Sequence, residues 1–194
     1  MKSRVAVPLF CLLTWMGVLA CSDGMIPTDT REASFSAGGR SAFGFNGDAR
    51  GFPTGAVRLT GGGSYSPETA SNVVPSETSV VSSGGFDCIE TIAQGPLTGC
   101  QAGEGVRWDT AQLLASTSFK CTGADVPKPA TTSSHTAVLL ADFYRAGDGN
   151  DESFTAQMIV SDTDLAPEIP GIQTLWVQGV GCGVAGAHFN GKLQ

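Results

Sequence analysis

An all-β domain, an antiparallel sandwich or barrel of about eight to ten short strands with at most one short helix, is the fold class the sequence predicts. Three observations carry the prediction. Apolar residues recur with a period of two in several short segments, as strands with one buried face require. Clusters of Gly, Ser, Asn and Asp separate those segments, and such turn signals at short intervals favour sandwiches and barrels. Glycine supplies 26 of the 194 residues, roughly twice the usual ~7%, and each glycine inside a helix costs ~1 kcal/mol relative to alanine.

The elements follow in chain order. Phe43 and Phe45 share one face, with Ala42, Gly44 and Asn46 on the other. Val57 and Leu59 alternate with Ala56, Arg58 and Thr60. Val80-Val81 precede Ser82-Ser83-Gly84-Gly85, which reads as a turn cluster. Asp109 to Ala115 suits either two helical turns capped by Asp109 or a bulged strand in which Leu113, Ala115, Thr117 and Phe119 share a side; the strand is favoured. Thr136 to Tyr144 is almost continuously apolar, as in a strand covered on both faces. The clearest strand is Ser153 to Ser161, where Phe154, Ala156, Met158 and Val160 alternate with Ser153, Thr155, Gln157, Ile159 and Ser161. Arg145 to Asp151 is a turn-rich connection that makes these last two strands an antiparallel hairpin. Ile172 to Val180 and Val184 to Phe189 complete the set.

Composition limits the function classes. Hydrophobic residues make up 41% of the chain, too many for a disordered protein. Eleven Lys and Arg stand against eighteen Asp and Glu, a formal charge of −7, which disfavours nucleic acid as a partner.

The amino terminus reads as an address. Lys2 and Arg4 precede Val5 to Ala20, an uncharged run of 16 residues that falls short of the ~20 needed to span a bilayer. A basic start, a short apolar centre and a small residue before the cut describe a secretory signal peptide over residues 1–20. Val18-Leu19-Ala20-Cys21 resembles the lipobox of bacterial lipoproteins. That resemblance implies diacylglycerol on the Cys21 thiol, cleavage before it, and Ser22 favouring the outer membrane in a Gram-negative cell. An ordinary cleaved signal and an uncleaved anchor are the other readings. Residues 21–33 would then be the lipidated cysteine and a flexible polar tether, and residues 34–194 a single β domain. The expected location is the bacterial cell envelope, with the membrane as a partner through the anchor.

Six cysteines fit this address. Cys11 leaves with the signal and Cys21 carries lipid, so Cys88, Cys100, Cys121 and Cys182 remain, an even number in an exported chain and hence two disulfides. Three pairings are open. Cys88–Cys100, closing a short loop through Gln94-Gly95-Pro96, and Cys121–Cys182, tying the last strand to the middle of the chain, are favoured. No C-x-x-C spacing supports a zinc site.

Catalytic motifs find little here. Gly181 to Gly186 satisfies G-x-G-x-x-G, but too few residues follow for the helix and acid of a dinucleotide site. Gly186 to Lys192 imitates a P-loop with Leu193 where Ser or Thr is needed. No serine sits in G-x-S-x-G, and neither His135 nor His188 lies in H-E-x-x-H. A histidine with distant Ser and Asp, or convergent carboxylates from Glu90, Asp109 and Asp142, would have to be assembled by the fold. Asp148, Asn150, Asp151 and Glu152 form the calcium candidate, although turns attract the same residues and a plain turn is the expectation. Trp108, Trp176 and Tyr65 either line a ligand surface or fill the core.

The run Phe35 to Phe45, the hairpin around Phe143 to Gly149 and the terminal Trp176 to Cys182 resemble uncharacterised secreted bacterial β domains. That resemblance implies an all-β fold with no established activity. The resulting expectation is a lipid-anchored, disulfide-stapled envelope domain that acts by binding or structure, without catalysis or cofactor, its partner an unknown envelope protein or small ligand. A carrier with an apolar barrel cavity and an envelope hydrolase are the alternatives.

Overall fold

The computed structural model describes residues 39–51, 55–74, 79–145 and 152–193. They contain eleven strands and one turn of 3-10 helix, Pro67–Thr69. The strands are β1 (Arg40–Gly51), β2 (Ala56–Tyr65), β3 (Val80–Glu90), β4 (Arg107–Leu113), β5 (Ser116–Phe119), β6 (Lys128–Thr131), β7 (Thr136–Arg145), β8 (Glu152–Ser161), β9 (Leu175–Val177), β10 (Gly181–Ala185) and β11 (His188–Leu193). In the main sheet β1, β2, β3, β4, β7, β8, β9 and β10 are successive antiparallel neighbours, and β10 returns to pair with β1. Eight strands taken in chain order therefore close into a barrel, which removes the open edges of a flat sheet. β11 extends the wall along the first half of β1. β5 and β6 form a separate hairpin between β4 and β7.

Glycines stand opposite many of the large inward side chains. Residues directly opposite each other on paired strands face the same side. Phe43 lies opposite Gly63, Phe45 opposite Gly61, and Leu59 opposite Gly47. Trp108 lies opposite Gly84 and Leu175 opposite Gly183. At Gly61 a ring takes the space, since an added Cβ would stand 2.6 Å from Trp108 Cζ2, whereas at Gly47, Gly63, Gly84 and Gly183 it would meet the backbone carbonyl of a neighbouring strand. This large-against-small pairing fills the interior with Phe43, Phe45, Leu59, Tyr65, Phe86, Trp108, Phe143 and Met158, all at most 5% exposed.

Both barrel ends are covered. Between β3 and β4 the chain turns inward and contributes Ile92, Leu97 and Cys100 to the interior cluster. The Cys88–Cys100 disulfide holds this plug, as do Gln94 Nε2 donating to the Gly179 carbonyl at 2.8 Å and Arg145 Nη1 donating to the Gly99 carbonyl at 3.0 Å. At the other end Phe43, Tyr65 and Phe189 pack ring against ring, and the Tyr65 hydroxyl donates to the Ser133 carbonyl at 2.6 Å.

A second apolar cluster lies outside the wall. Val138, Ile159, Trp176 and Cys182 form one cross-strand row over β7, β8, β9 and β10. Leu114, Phe119, Cys121 and Ala130, from the β5–β6 hairpin and its flanks, cover that row, joined by Ala166. The Cys121–Cys182 disulfide ties cover to wall. The hairpin thus explains the continuous apolar run of β7 and the apolar Ile159 at an otherwise outward position of β8.

The all-β expectation holds, as do both favoured disulfide pairings and the antiparallel β7–β8 hairpin. Four local expectations do not. Ser82-Ser83-Gly84-Gly85 is no turn but the middle of β3, where Gly84 pairs opposite Trp108 and lets the β2 backbone at Thr60 and Gly61 come close. The strand expected over Ile172 to Val180 shrinks to Leu175–Val177 because Gln178 to Val180 turn back toward β10. The terminal run breaks at Gly186-Ala187, where the partner segment of β1 changes from Gly47–Gly51 to Arg40–Gly44. Leu113, Ala115, Thr117 and Phe119 do not share a side. β4 is bulged between Thr110 and Gln112 and ends at Leu113, inside the barrel, whereas Phe119 belongs to the outer cluster. At the break the Asn72 side chain takes the place of a neighbouring strand, accepting from Ala115 N at 2.8 Å and Ser116 N at 3.3 Å and donating to the Ser116 carbonyl at 3.0 Å.

The signal, Cys21 and the tether lie outside the described residues, as do Asp148, Asn150 and Asp151 of the calcium candidate; Glu152 opens β8, opposite Arg145.

Candidate functional site

The strand alternation that sends Phe45 and Ala49 into the barrel sends Asn46, Asp48 and Arg50 of β1 outward. Arg58 of β2 lies opposite Asp48 on one side, and Val184 of β10 lies opposite it on the other. Cys182 lies opposite Arg50. Gln173 enters from the segment before β9, fixed by its backbone N donating to Asp164 Oδ1 at 3.0 Å and its carbonyl accepting from Leu165 N at 2.7 Å. With Gly47 and Gly183 these residues line an open groove of about 620 Å³ on the outer wall.

A chain of ion pairs orders the groove. Arg58 Nε stands 3.1 Å from Asp48 Oδ1, Arg50 Nη2 3.9 Å from Asp48 Oδ2, and Arg50 Nη1 3.1 Å from Glu90 Oε1. The side chains are 34% to 59% exposed, so each pair adds only ~0–1 kcal/mol to stability. Their consequence is orientation: each guanidinium turns one edge toward a carboxylate. Asp87 of β3 lies opposite Arg58 on its other flank, so carboxylates surround both arginines.

The fold brings some of the sequence candidates together and separates others. Asp109 and Asp142 face each other directly across β4 and β7 on the outer wall. Asp109 accepts from Arg107 Nε at 3.3 Å and Asp142 from Thr155 Oγ1 at 2.6 Å. Glu90 is not with them but at the end of β3 beside the groove, paired with Arg50. His135 precedes β7, and its Nδ1 lies 2.9 Å from Asp162 Oδ2, one step beyond the Thr136–Ser161 pair that ends the β7–β8 ladder. Its side chain is 62% exposed. His188, on β11, lies over Gly44. Among the described residues no group of three His, Cys, Asp or Glu side chains is placed to hold a metal ion.

The aromatic candidates resolve as packing. Trp108 and Tyr65 are wholly buried in the barrel, where Trp108 Nε1 donates to the Thr60 carbonyl at 3.0 Å. Trp176 is 6% exposed beneath the hairpin, against Phe119. Burial raises the Tyr65 hydroxyl pKa well above the ordinary phenol range, and the nearby Asp162 charge adds to that rise. Gly181 to Gly186 spans strand β10 and its end, and Gly186 to Lys192 leads into strand β11, not the strand–turn–helix of a nucleotide site.

The groove residues Asn46, Arg50, Arg58, Gln173 and Val184 were not singled out in the sequence. A partial signal was present, since alternation marks Asn46 and Arg58 as outward. Scans against known protein families, curated proteins and solved structures return no match.

Proposed function

We propose that this chain is an exported, lipid-anchored envelope protein whose barrel acts as a binding module on its outer wall. The observation that carries the reading is the cysteine inventory: Cys88, Cys100, Cys121 and Cys182 are joined in two disulfides. Two such bridges are the mark of an oxidising, extracytoplasmic compartment. Removal of residues 1–20 would take Cys11 with it, leaving Cys21 as the mature chain's one cysteine outside those bridges. An odd cysteine in an exported protein calls for an intermolecular partner or a chemical use. Its place after Val18-Leu19-Ala20 supplies the use, a thioether to diacylglycerol. Multiple acyl chains give the stable attachment that one chain does not.

The side chains packed along the barrel axis support a wall-binding module over an apolar-cavity carrier, because their rings occupy the space a ligand would need. Cys21→Ser in the full chain tests the anchor. The variant is expected to accumulate uncleaved and to incorporate no fatty-acid label. Normal maturation with label would sink the lipobox reading, and a Cys21-dependent disulfide dimer on a non-reducing gel would replace it with intermolecular pairing.

A further inference from the structure

We propose that the groove across β10, β1 and β2 binds a neutral glycan, an inference that rests on the wall-binding reading above. Three features of the lining select that class. Asn46, Asp48, Arg50, Arg58 and Gln173 present planar amide, carboxylate and guanidinium groups from neighbouring strands and the segment beside them. Adjacent sugar hydroxyls, each both donor and acceptor, match such alternating acceptor and donor edges. Charge is compensated only with the carboxylates beside the lining: Asp48 in the groove meets Arg58 and Arg50, Glu90 just outside it also meets Arg50, and Asp87 on β3 lies opposite Arg58, so two arginines face three carboxylates. No surplus positive charge is left to hold an anion, and the surrounding carboxylates repel one. Val184, 57% exposed at the groove's edge, offers an apolar contact to the C–H face of a sugar ring.

The groove is also built in advance of any ligand. Asp48 and Arg58 face each other in an ion pair on a closed barrel, the Gln173 backbone is held by bonds to Asp164 and Leu165, and Cys182 is covalently tied to Cys121. Its volume falls in the range of small-ligand sites. Its open form, with no aromatic ring in the lining, sets weak affinity for one short oligosaccharide, a Kd on the order of 1 mM. Many such sites on one anchored surface would grip a polymer through avidity.

Saturation-transfer NMR on the full chain in detergent tests this, with a detergent-only sample as blank. Chitotriose and maltotriose serve as separate probes, the first standing for an N-acetylated cell-wall chain and the second for a plain glucan. Saturable transfer to ring protons of either is expected, and which one responds identifies the glycan type. The signal should fall at least fivefold in Arg58→Ala and in Asn46→Ala and persist in the distant Glu68→Ala. Absence of saturable transfer from both sugars, survival of the full signal in Arg58→Ala and Asn46→Ala, or displacement by equimolar sulfate would each overturn the proposal. Any of these would leave the Cys21 result standing, so the two readings fail separately.

Discussion

Removing the two disulfides one at a time should reveal a hierarchy that their loops dictate. Cys121–Cys182 spans 61 residues in sequence and Cys88–Cys100 spans 12. Under chain-entropy reasoning, opening the longer loop costs about 4 kcal/mol and the shorter about 3 kcal/mol. The comparison uses Cys121→Ala/Cys182→Ala against Cys88→Ala/Cys100→Ala, so that neither leaves a lone thiol. For a domain of this size each kcal/mol shifts Tm by about 2–4 °C, which puts the losses near 8–16 °C and 6–12 °C. Those ranges overlap, so urea unfolding of both variants in one buffer is the deciding measurement. The variants should also differ in where they loosen. Without Cys121–Cys182 the β5–β6 hairpin is held by the apolar cluster around Phe119 and Trp176, the Asn72 clamp and the Lys128–Glu168 ion pair. Its amides should then exchange faster than those of β1 to β3. Without Cys88–Cys100, faster exchange should centre on residues 91–103 instead. A larger stability loss in the Cys88/Cys100 variant, or unchanged exchange in the hairpin of the other, would refute the assignment of the long bridge as the clasp of the outer layer.

Two further predictions probe the packing. Gly95 and Gly179 both have positive φ, and a Cβ on Gly95 would stand 2.4 Å from Gly179 Cα, whereas Gly103, also at positive φ, has open space around it. Gly103→Ala should therefore cost about 1–2 kcal/mol from backbone strain alone, and Gly95→Ala clearly more in the same urea assay; equal losses would show that the turn contact yields freely. Tyr65→Phe should cost about 1 kcal/mol at neutral pH, the net value of the hydrogen bond to Ser133. Because the folded state holds the Tyr65 proton above the ordinary range while the unfolded chain releases it near pH ~10, wild-type stability is intact below that pH and declines above it. Tyr65→Phe should lack this part of the decline, so the two stability curves converge above pH ~10; parallel curves would contradict the buried, proton-retaining phenol.

The sequence determined what depends on neighbours along the chain. Alternation of Phe154, Ala156, Met158 and Val160 fixes a strand and its buried face, since a period of two is a property of the extended backbone itself. Four cysteines beyond the amino-terminal pair imply two bridges but leave three pairings open, of which the favoured one formed. Other features required the strands to be brought together. Ser82 to Gly85 looks like a turn until Trp108, more than twenty residues later, pairs opposite Gly84 as β4 aligns with β3. The parity of β5 could not be carried over from β4, because Asn72, some forty residues away, clamps the chain where it leaves the wall. The groove joins Asp48, Arg58 and Val184 only because β10 closes the barrel onto β1. Closure is a register between the two ends of the domain, set by the summed packing of eight strands, and no short window of sequence contains it.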